Sequence, residues 1–252
     1  MTPDSILDWL VIAKEAALRA GVFLSKPNQR IVDITSETRL DIKIRADTEA
    51  EQIILDYLTE KSCFSILSEE SGILEGIDKR FIWIVDPLDG SLNYARGIPY
   101  CCVSVGLWQE GEPVLGVVYD FNRHELFTGI VGRESWLNEE KVSVGSISKR
   151  EAAVLCTGFP VSTDFSTESL AGLVEDIRQF KKVRLLGSAA LSLAYVSCGR
   201  VDVYQENDIK IWDVAAGLAL VKSAGGTIKV QQSVKENVLS VKAGNENLLD
   251  DI

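Results

Sequence analysis

The chain has one histidine, His124, so any mechanism that needs a pair of imidazoles is excluded. That residue lies in Phe121-Asn122-Arg123-His124-Glu125, which reads as a surface hairpin turn. Cysteine is sparse as well: Cys63, Cys101, Cys102, Cys156 and Cys198 are odd in number and scattered, with no C-x-x-C pair. Such spacing argues against a zinc site or a disulfide framework and reads as small core residues in a reducing cytoplasm. Basic residues are the minority, and a formal charge of −11 argues against nucleic-acid or anionic-membrane partners. No apolar run approaches a membrane span, and Met1-Thr2-Pro3-Asp4-Ser5 carries no readable signal peptide, so a cytoplasmic protein without membrane contact is expected. A C-x₅-R nucleophile loop, an Asp-x-Asp nucleophile motif and a G-x-x-x-x-G-K phosphate loop are all missing. No internal repeat or low-complexity linker is visible.

What is present suits an ordinary globular protein: 46% hydrophobic and 25% charged residues over 252 positions allow a substantial core. Ser5 can cap a helix through about Leu24, with Ile6, Trp9, Leu10, Ala13, Ala17, Leu18 and Val22 at helical spacing. The polar stretch from Ser25 to Arg45 reads as a loop or hairpin. Asp47-Thr48-Glu49-Ala50 reads as a helix start with Ile53, Ile54, Tyr57 and Leu58 on its apolar face. Strands are expected at Cys63–Leu67, Phe81–Val85, Cys101–Trp108, Val114–Tyr119 and Leu126–Ile130. After a polar stretch near Ser143–Glu151 the pattern alternates. Val154–Thr157, Val183–Leu185 and Val201–Tyr204 read as strands; Thr167–Phe180, Ala189–Ser197 and Trp212–Ala224 read as helices. The change near residue 145 suggests halves at 1–145 and 146–252 within one compact unit, with a site between them.

The chemistry centres on Asp86-Pro87-Leu88-Asp89-Gly90-Ser91, at the end of the apolar run Phe81-Ile82-Trp83-Ile84-Val85. Two carboxylates this close repel by roughly 4 kcal/mol at a separation of about 4 Å and an effective dielectric near 20. Left alone, one takes up a proton; a hard divalent cation such as Mg²⁺ removes the conflict. Gly90-Ser91 then lets the backbone approach closely and offers N–H groups, the usual seat of a phosphate. Leu67-Ser68-Glu69-Glu70-Ser71-Gly72 closes another strand with a carboxylate pair, and Ile211-Trp212-Asp213-Val214-Ala215-Ala216-Gly217 starts a helix rich in small residues with an Asp. Taken singly, Asp213 and Asp47 read as helix N-caps, Glu69-Glu70 as a solvated strand end, and Asp86 and Asp89 as turn formers around Pro87. Together they form a specific combination.

That combination resembles the inositol monophosphatase family of Mg²⁺-dependent sugar and nucleotide phosphatases. One family signature resembles Trp83 to Tyr94, and a second resembles Trp212-Asp213-Val214-Ala215-Ala216-Gly217 followed by Ala224-Gly225-Gly226. Asp41–Asp47, Ser68–Ser71 and Gly187-Ser188-Ala189-Ala190 fall in the family's order and spacing, so the likeness covers nearly the whole chain. The resemblance implies a layered αβαβα sandwich of α/β (α+β) class. It implies that Glu69, Asp86, Asp89 and Asp213 bind two or three Mg²⁺ ions with the Leu88 carbonyl, Asp86 bridging two of them. Glu69, Ser91 and Asp47 would orient and activate the attacking water. The Gly90 and Ser91 amides would hold the phosphate, with Asp89 and Asp213 nearby, while Gly187, Ser188, Ala189 and Glu206 would face the alcohol. Four carboxylates and two Mg²⁺ sum to zero formal charge, so a phosphate dianion meets no net negative wall.

The resemblance further implies a phosphomonoesterase acting on a small phosphorylated polyol, with myo-inositol 1-phosphate the best single choice, sensitivity to Li⁺, and a homodimer. Fructose 1,6-bisphosphate, histidinol phosphate and 3′-phosphoadenosine 5′-phosphate are the runner-up substrates; Gly97-Ile98-Pro99-Tyr100 and Val103-Ser104-Val105-Gly106 favour the inositol branch over the nucleotide branch. A non-catalytic interaction protein that kept the fold is the alternative of another class. Departures from the family pattern are Ser91 where Thr is usual, Lys43-Ile44-Arg45, and Ser36 near the place of a loop Lys, a role left to Arg39, to Lys43 or to neither. Lys210 reads as a solvated loop lysine, with contact to a second phosphate as the alternative.

Overall fold

The computed structural model describes residues 5–26, 34–37, 42–159 and 165–249. Helix α1 (Ile6–Leu24) begins at Ser5, whose Oγ accepts from the Asp8 N–H while Asp8 accepts from the Ser5 N–H. Its buried stripe is Ile12, Ala13, Ala16, Ala17, Ala20, Gly21 and Leu24, which is small enough to lie flat on a sheet. Strands β1 (Ile34–Glu37) and β2 (Ile42–Ile44) pair as a small antiparallel sheet within the polar stretch. Asp41 and Arg39 lie outside the described residues.

Helix α2 (Arg45–Lys61) starts two residues before the expected Asp47. Asp47 is therefore not an N-cap. It sits inside the first turn and reaches back, its Oδ2 accepting from the Ile44 N–H at 2.8 Å.

An eight-stranded sheet follows, built from β3 (Phe64–Ser68), β4 (Gly72–Leu74), β5 (Asp78–Asp89), β6 (Cys102–Gln109), β7 (Glu112–Asp120), β8 (Glu125–Ile130), β9 (Ser135–Leu137) and β10 (Glu140–Val142). Its spatial order is β10-β9-β8-β7-β6-β5-β3-β4, antiparallel except for the parallel pair β3 and β5. Helix α3 (Ser91–Ala95) lies between β5 and β6. The sequence reading missed the short strands β4, β9 and β10. They lie at the sheet's ends, where charged, exposed residues such as Glu140 and Lys141 replace the apolar alternation that identifies an inner strand.

The rest of the chain forms a five-stranded sheet from β11 (Val154–Cys156), β12 (Lys182–Arg184), β13 (Val203–Lys210), β14 (Thr227–Gln232) and β15 (Val238–Gly244), in the order β12-β11-β13-β15-β14. Helices α4 (Thr167–Ile177), α5 (Ala189–Ser197) and α6 (Ile211–Ser223) accompany it. Helix α4 ends three residues before the expected Phe180. The chain tightens there, Phe180 N–H donating to Ile177 O, so that the ring turns into a small core with Ala153, Leu155, Val203 and Leu248.

The layers run α1 and α2, eight-stranded sheet, α5 and α6, five-stranded sheet, α4, an αβαβα sandwich. One core lies between α1, α2 and the large sheet; a second joins Ile84 and Trp108 to α5, α6 and the small sheet. Close approach of α6 to the large sheet requires small residues on both sides. A Cβ on Gly116 would stand 2.1 Å from Ala216 O, and one on Gly106 would stand 3.0 Å from Ala216 N. The Trp108 indole N–H donates to Ala215 O at 3.1 Å and fixes the same contact. The small-residue run after Asp213 thus sets α6 against β6 and β7, the first of which is the neighbour of the strand that carries Asp86.

No helix among the described residues is long and apolar enough to cross a membrane. His124 is an exposed turn residue between β7 and β8, at φ 55°. All five cysteines are free thiols.

Candidate metal and phosphate site

Strands β3 and β5 run parallel with Ser68 opposite Val85, so the next residues, Glu69 just past the end of β3 and Asp86 still within β5, stand side by side. The Glu69 N–H still donates to Val85 O at 3.3 Å. In a regular strand, residues three apart face opposite sides. Between Asp86 and Asp89, however, β5 advances three residues against two on β6, with Asp86 opposite Ser104 and Asp89 opposite Cys102. This one-residue bulge resets the alternation and turns both carboxylates to one side. Pro87, which has no N–H to donate, fits the interrupted ladder, and the Leu88 N–H donates to Asp86 Oδ1 at 3.0 Å. The chain then leaves through Gly90 at φ 90°, a left-handed conformation that favours glycine, into α3.

Asp86 and Asp89 are buried. Burial pushes the Asp86 carboxyl well above the ordinary range, and the neighbouring carboxylates of Glu69, Asp89 and Asp213 push it further. Burial also raises Asp213, followed by Glu69, Asp89 and Glu206. Asp89 rises to about 6 through burial, opposed by hydrogen bonds from the Ser188 Oγ–H at 2.6 Å and the Ala190 N–H at 2.7 Å. No lysine or arginine stands among the leading influences on these three acids. Asp213 is not an N-cap; Lys210 holds that position, and the Asp213 carboxylate, in the first turn, accepts from the Lys210 N–H.

As the side chains stand, no group of three or more His, Cys, Asp or Glu among the described residues forms a ready set of metal ligands. Asp89 accepts from Ser188 and Ala190, and Asp86 from the Leu88 N–H. The donor set nevertheless fits a hard divalent cation: it offers oxygen ligands only, and uncompensated negative charge in a buried place.

Ser91 is half-buried beside this cluster. Its hydroxyl lies 2.9 Å from both Asp47 Oδ1 and Leu88 O. Gly187, Ser188 and Ala189 line a cavity of about 190 Å³ together with Asp89, Thr157, Gly158, Phe159, Ser192, Tyr204, Glu206, Ile209 and Asp213. The Ser188 hydroxyl is already committed, donating to Asp89 and accepting from the Leu191 N–H at 3.3 Å as the cap of α5. Glu206 lies within β13, not in a connection after it. A second bulge follows, with β13 taking three residues from Glu206 to Ile209 against two on β15, and Asp208 at φ 57°. Burial raises Glu206 to about 7, against a hydrogen bond of 2.6 Å that the Tyr204 hydroxyl donates to its Oε2.

Lys210 is exposed, with its ammonium 5.2 Å from the centre of the Trp212 ring, in accord with a solvated lysine.

Sequence reasoning missed several residues here. Asn93 donates from Nδ2 to Tyr100 O and Leu186 O, both at 2.8 Å, and so ties α3 to the loop before Ser188. Gly158 faces Glu206 so closely that a Cβ would lie 2.6 Å from Oε2. Glu51, buried one turn after Asp47, accepts from the N–H groups of Glu70 and Ser71. Its spacing of four from Asp47 was the available signal.

The sequence profile of the inositol monophosphatase family matches residues 7–244. A protein of Mesorhizobium japonicum named inositol-1-monophosphatase is 36% identical over 253 residues, covering 98% of this chain and 94% of that protein. A protein of Xylella fastidiosa named Nus factor SuhB is 39% identical over 221 residues, covering 86% of this chain and 80% of its own length. The solved structure of the inositol monophosphatase from Anabaena (Nostoc) superimposes with a TM-score of 0.83 at 35% identity, over 96% of this chain and 92% of that one.

Proposed function

We propose, from the premise that this chain belongs to the inositol monophosphatase family, that it is a Mg²⁺-dependent phosphomonoesterase acting on a small phosphorylated polyol, with myo-inositol 1-phosphate as its best substrate. The observation that carries this reading is the raised carboxyls of Asp86, Asp89 and Asp213: burial lifts all three, neighbouring carboxylates lift Asp86 and Asp213 further, and no lysine or arginine is among the leading influences. Such a cluster weakens the fold unless it holds cations. The carboxylates of Glu69, Asp86, Asp89 and Asp213 and the carbonyl of Leu88 would be the ligands. Divalent cations there supply neutralisation of the phosphate and Lewis-acid activation of water.

The chain's own groups do the positioning. Ser91 has one hydroxyl proton and two acceptors within reach; the Asp47 carboxylate is the stronger of them. Donation to Asp47 leaves lone pairs on Ser91 Oγ to accept from the attacking water, whose proton can pass to Oγ as the hydroxyl proton moves to Asp47 Oδ1. Tyr204 occupies Glu206 Oε2, which leaves Oε1 to accept from hydroxyls of the alcohol in the cavity. The Ser188 and Ala190 donors fix the orientation of Asp89.

The test is a panel of phosphate esters assayed with Mg²⁺ and with excess chelator, including inositol 1-phosphate and the runner-up substrates. Turnover is expected to require the metal, to favour inositol 1-phosphate, and to fall with Ca²⁺, whose longer bonds and higher coordination number displace the reacting oxygens. Full activity in chelator rejects the metal reading. A second reading, a binding role without catalysis, is favoured by the relative named Nus factor SuhB; absence of turnover on the whole panel would select it.

A further inference from the structure

Glu51 is a buried carboxylate that the proposed chemistry does not use. It lies on α2 four residues after Asp47, one turn along the same face, and both are 2% exposed. Like charges at this spacing weaken a helix, and burying them adds desolvation. Each is held by hydrogen bonds. Asp47 accepts from the Ile44 N–H and the Ser91 hydroxyl. Glu51 Oε1 accepts from the Glu70 N–H and the Ser71 N–H, both at 3.1 Å, and Oε2 accepts from the Ser71 hydroxyl in a short contact.

Those donors belong to the turn that begins with Glu69. On its N-terminal side Glu69 is tied to the large sheet by its own N–H, which donates to Val85 O beside Asp86. On its C-terminal side the next two amides are gripped by Glu51. Gly72, at φ 71°, then reverses the chain into β4. The backbone of Glu69 is thus held between two fixed points, one on the strand of Asp86 and one on the helix of Asp47.

We propose that Glu51 is a positioning residue: its carboxylate clamps the Glu70–Ser71 amides and thereby sets Glu69 at the distance from Asp86 that a shared divalent cation needs. The proposal rests on the reading of Glu69 and Asp86 as metal ligands. Helix α2 then serves the site twice from one face, through Asp47 to Ser91 and through Glu51 to Glu69. Truncation of an outer-sphere partner of a metal ligand typically costs about 10- to 100-fold in metal affinity.

The test is calorimetric titration of the intact protein with Mg²⁺, alongside melting temperature in chelator. Glu51→Ala should raise the Kd for Mg²⁺ by about 10-fold or more. Glu51→Gln should stay within about threefold of the parent, because its amide oxygen still accepts from both N–H groups and its NH₂ can donate to the Ser71 oxygen. Ser71→Ala, which removes one of the three bonds and is safe for folding, should raise the Kd by about threefold. Asp120→Ala is the control for general weakening: Asp120 clamps the Asn122 and Arg123 amides of a distant turn in the same manner, so it should lower the melting temperature and leave the Kd unchanged. An unchanged Kd in both Glu51→Ala and Ser71→Ala overturns the clamp, as does an equal loss in Glu51→Ala and Glu51→Gln. If Glu51→Ala does not fold, an unchanged Kd in Ser71→Ala alone overturns it. Failure of the parent protein to bind Mg²⁺ at all rejects instead the metal reading on which the clamp depends.

Discussion

Replacing Asp89 with asparagine separates the cost of the acidic cluster from its use. The carboxyl sits at about 6 against an ordinary 3.8, because burial disfavours its charge more than the Ser188 and Ala190 hydrogen bonds favour it. A folded-state value above the unfolded one gives a contribution that is complete below about pH 4 and is lost as pH rises through about 6. At pH 7.5 the ionised group therefore costs about 3 kcal/mol, at about 1.4 kcal/mol per unit. The neutral amide in Asp89→Asn would carry no such cost. Its oxygen can still accept from Ser188 and Ala190, but a neutral acceptor is weaker, which returns about 1 kcal/mol. The net gain is about 2 kcal/mol, or a rise of about 4–8 °C in melting temperature for a chain of this size. Thermal melts of parent and Asp89→Asn in chelator at pH 7.5 read this directly. Addition of Mg²⁺ should then stabilise the parent by about 3 kcal/mol at a hundredfold excess over its Kd, and the variant by much less. Turnover should fall to background. A variant that melts below the parent in chelator, or retains kcat within about tenfold, refutes the assignment of Asp89 as a ligand.

Three further outcomes follow from the same geometry. Because Asp86 and Asp213 are raised like Asp89, stability of the metal-free protein should fall as pH rises from about 4 through 6 and above, while the Mg²⁺-saturated protein stays flatter; melts across pH in chelator and in Mg²⁺ check this, and a chelator curve rising from pH 5 to 7 contradicts it. Glu206→Gln should lower kcat/KM for inositol 1-phosphate by roughly 5–30-fold while changing 4-nitrophenyl phosphate by less than about threefold, because the featureless ester never used the contact; equal losses on both place Glu206 in the catalytic machinery. Gly158→Ala should mimic that selectivity loss without touching the carboxylate chemically, since its Cβ would stand 2.6 Å from Glu206 Oε2; unchanged kcat/KM on inositol 1-phosphate would mean that the carboxylate has room to move aside.

The sequence was informative where periodicity and local chemistry coincide. The α1 stripe with its Ser5 cap, the β6–β7 hairpin and helix Ala189–Ser197 follow from patterns of apolar residues and turn formers. Besides the short strands β4, β9 and β10 and the last two strands, β14 and β15, features of the site itself did not yield to it. Strand β13 reads as ending at Tyr204 because Gln205, Glu206 and Asn207 are polar; they belong to the strand because β15 pairs through Glu206 opposite Val241, a tertiary partner no local window contains. The N-cap readings of Asp47 and Asp213 failed for one reason. In both helices the first residue stands two positions before the acid, and the acid reaches back to the N–H before the helix, a contact that sequence spacing alone does not separate from a forward cap. Glu51 escapes notice because an acid on a polar helix reads as solvated until the turn it grips is seen.

The two bulges explain why the acidic residues are close in space although strand alternation would part them. Asp86 and Asp89 carry the wrong parity for a shared face, and only the extra residue at Pro87-Leu88 corrects it. Beyond Glu206 the same device recurs at Asn207-Asp208, and the chain enters α6 with Asp213 turned to the cluster that Asp86 and Glu69 share. A bulge is tolerated where the rest of the strand is strongly held, and both strands are: β5 lies between β3 and β6, and β13 between β11 and β15. Inner strands therefore supply the rigidity, and their irregular ends supply the carboxylates. Placing Asp86 and Asp89 on the bulged end of a central strand, with α6 packed on Gly106 and Gly116, keeps mutually repelling groups together at a cost the cores on either side can bear.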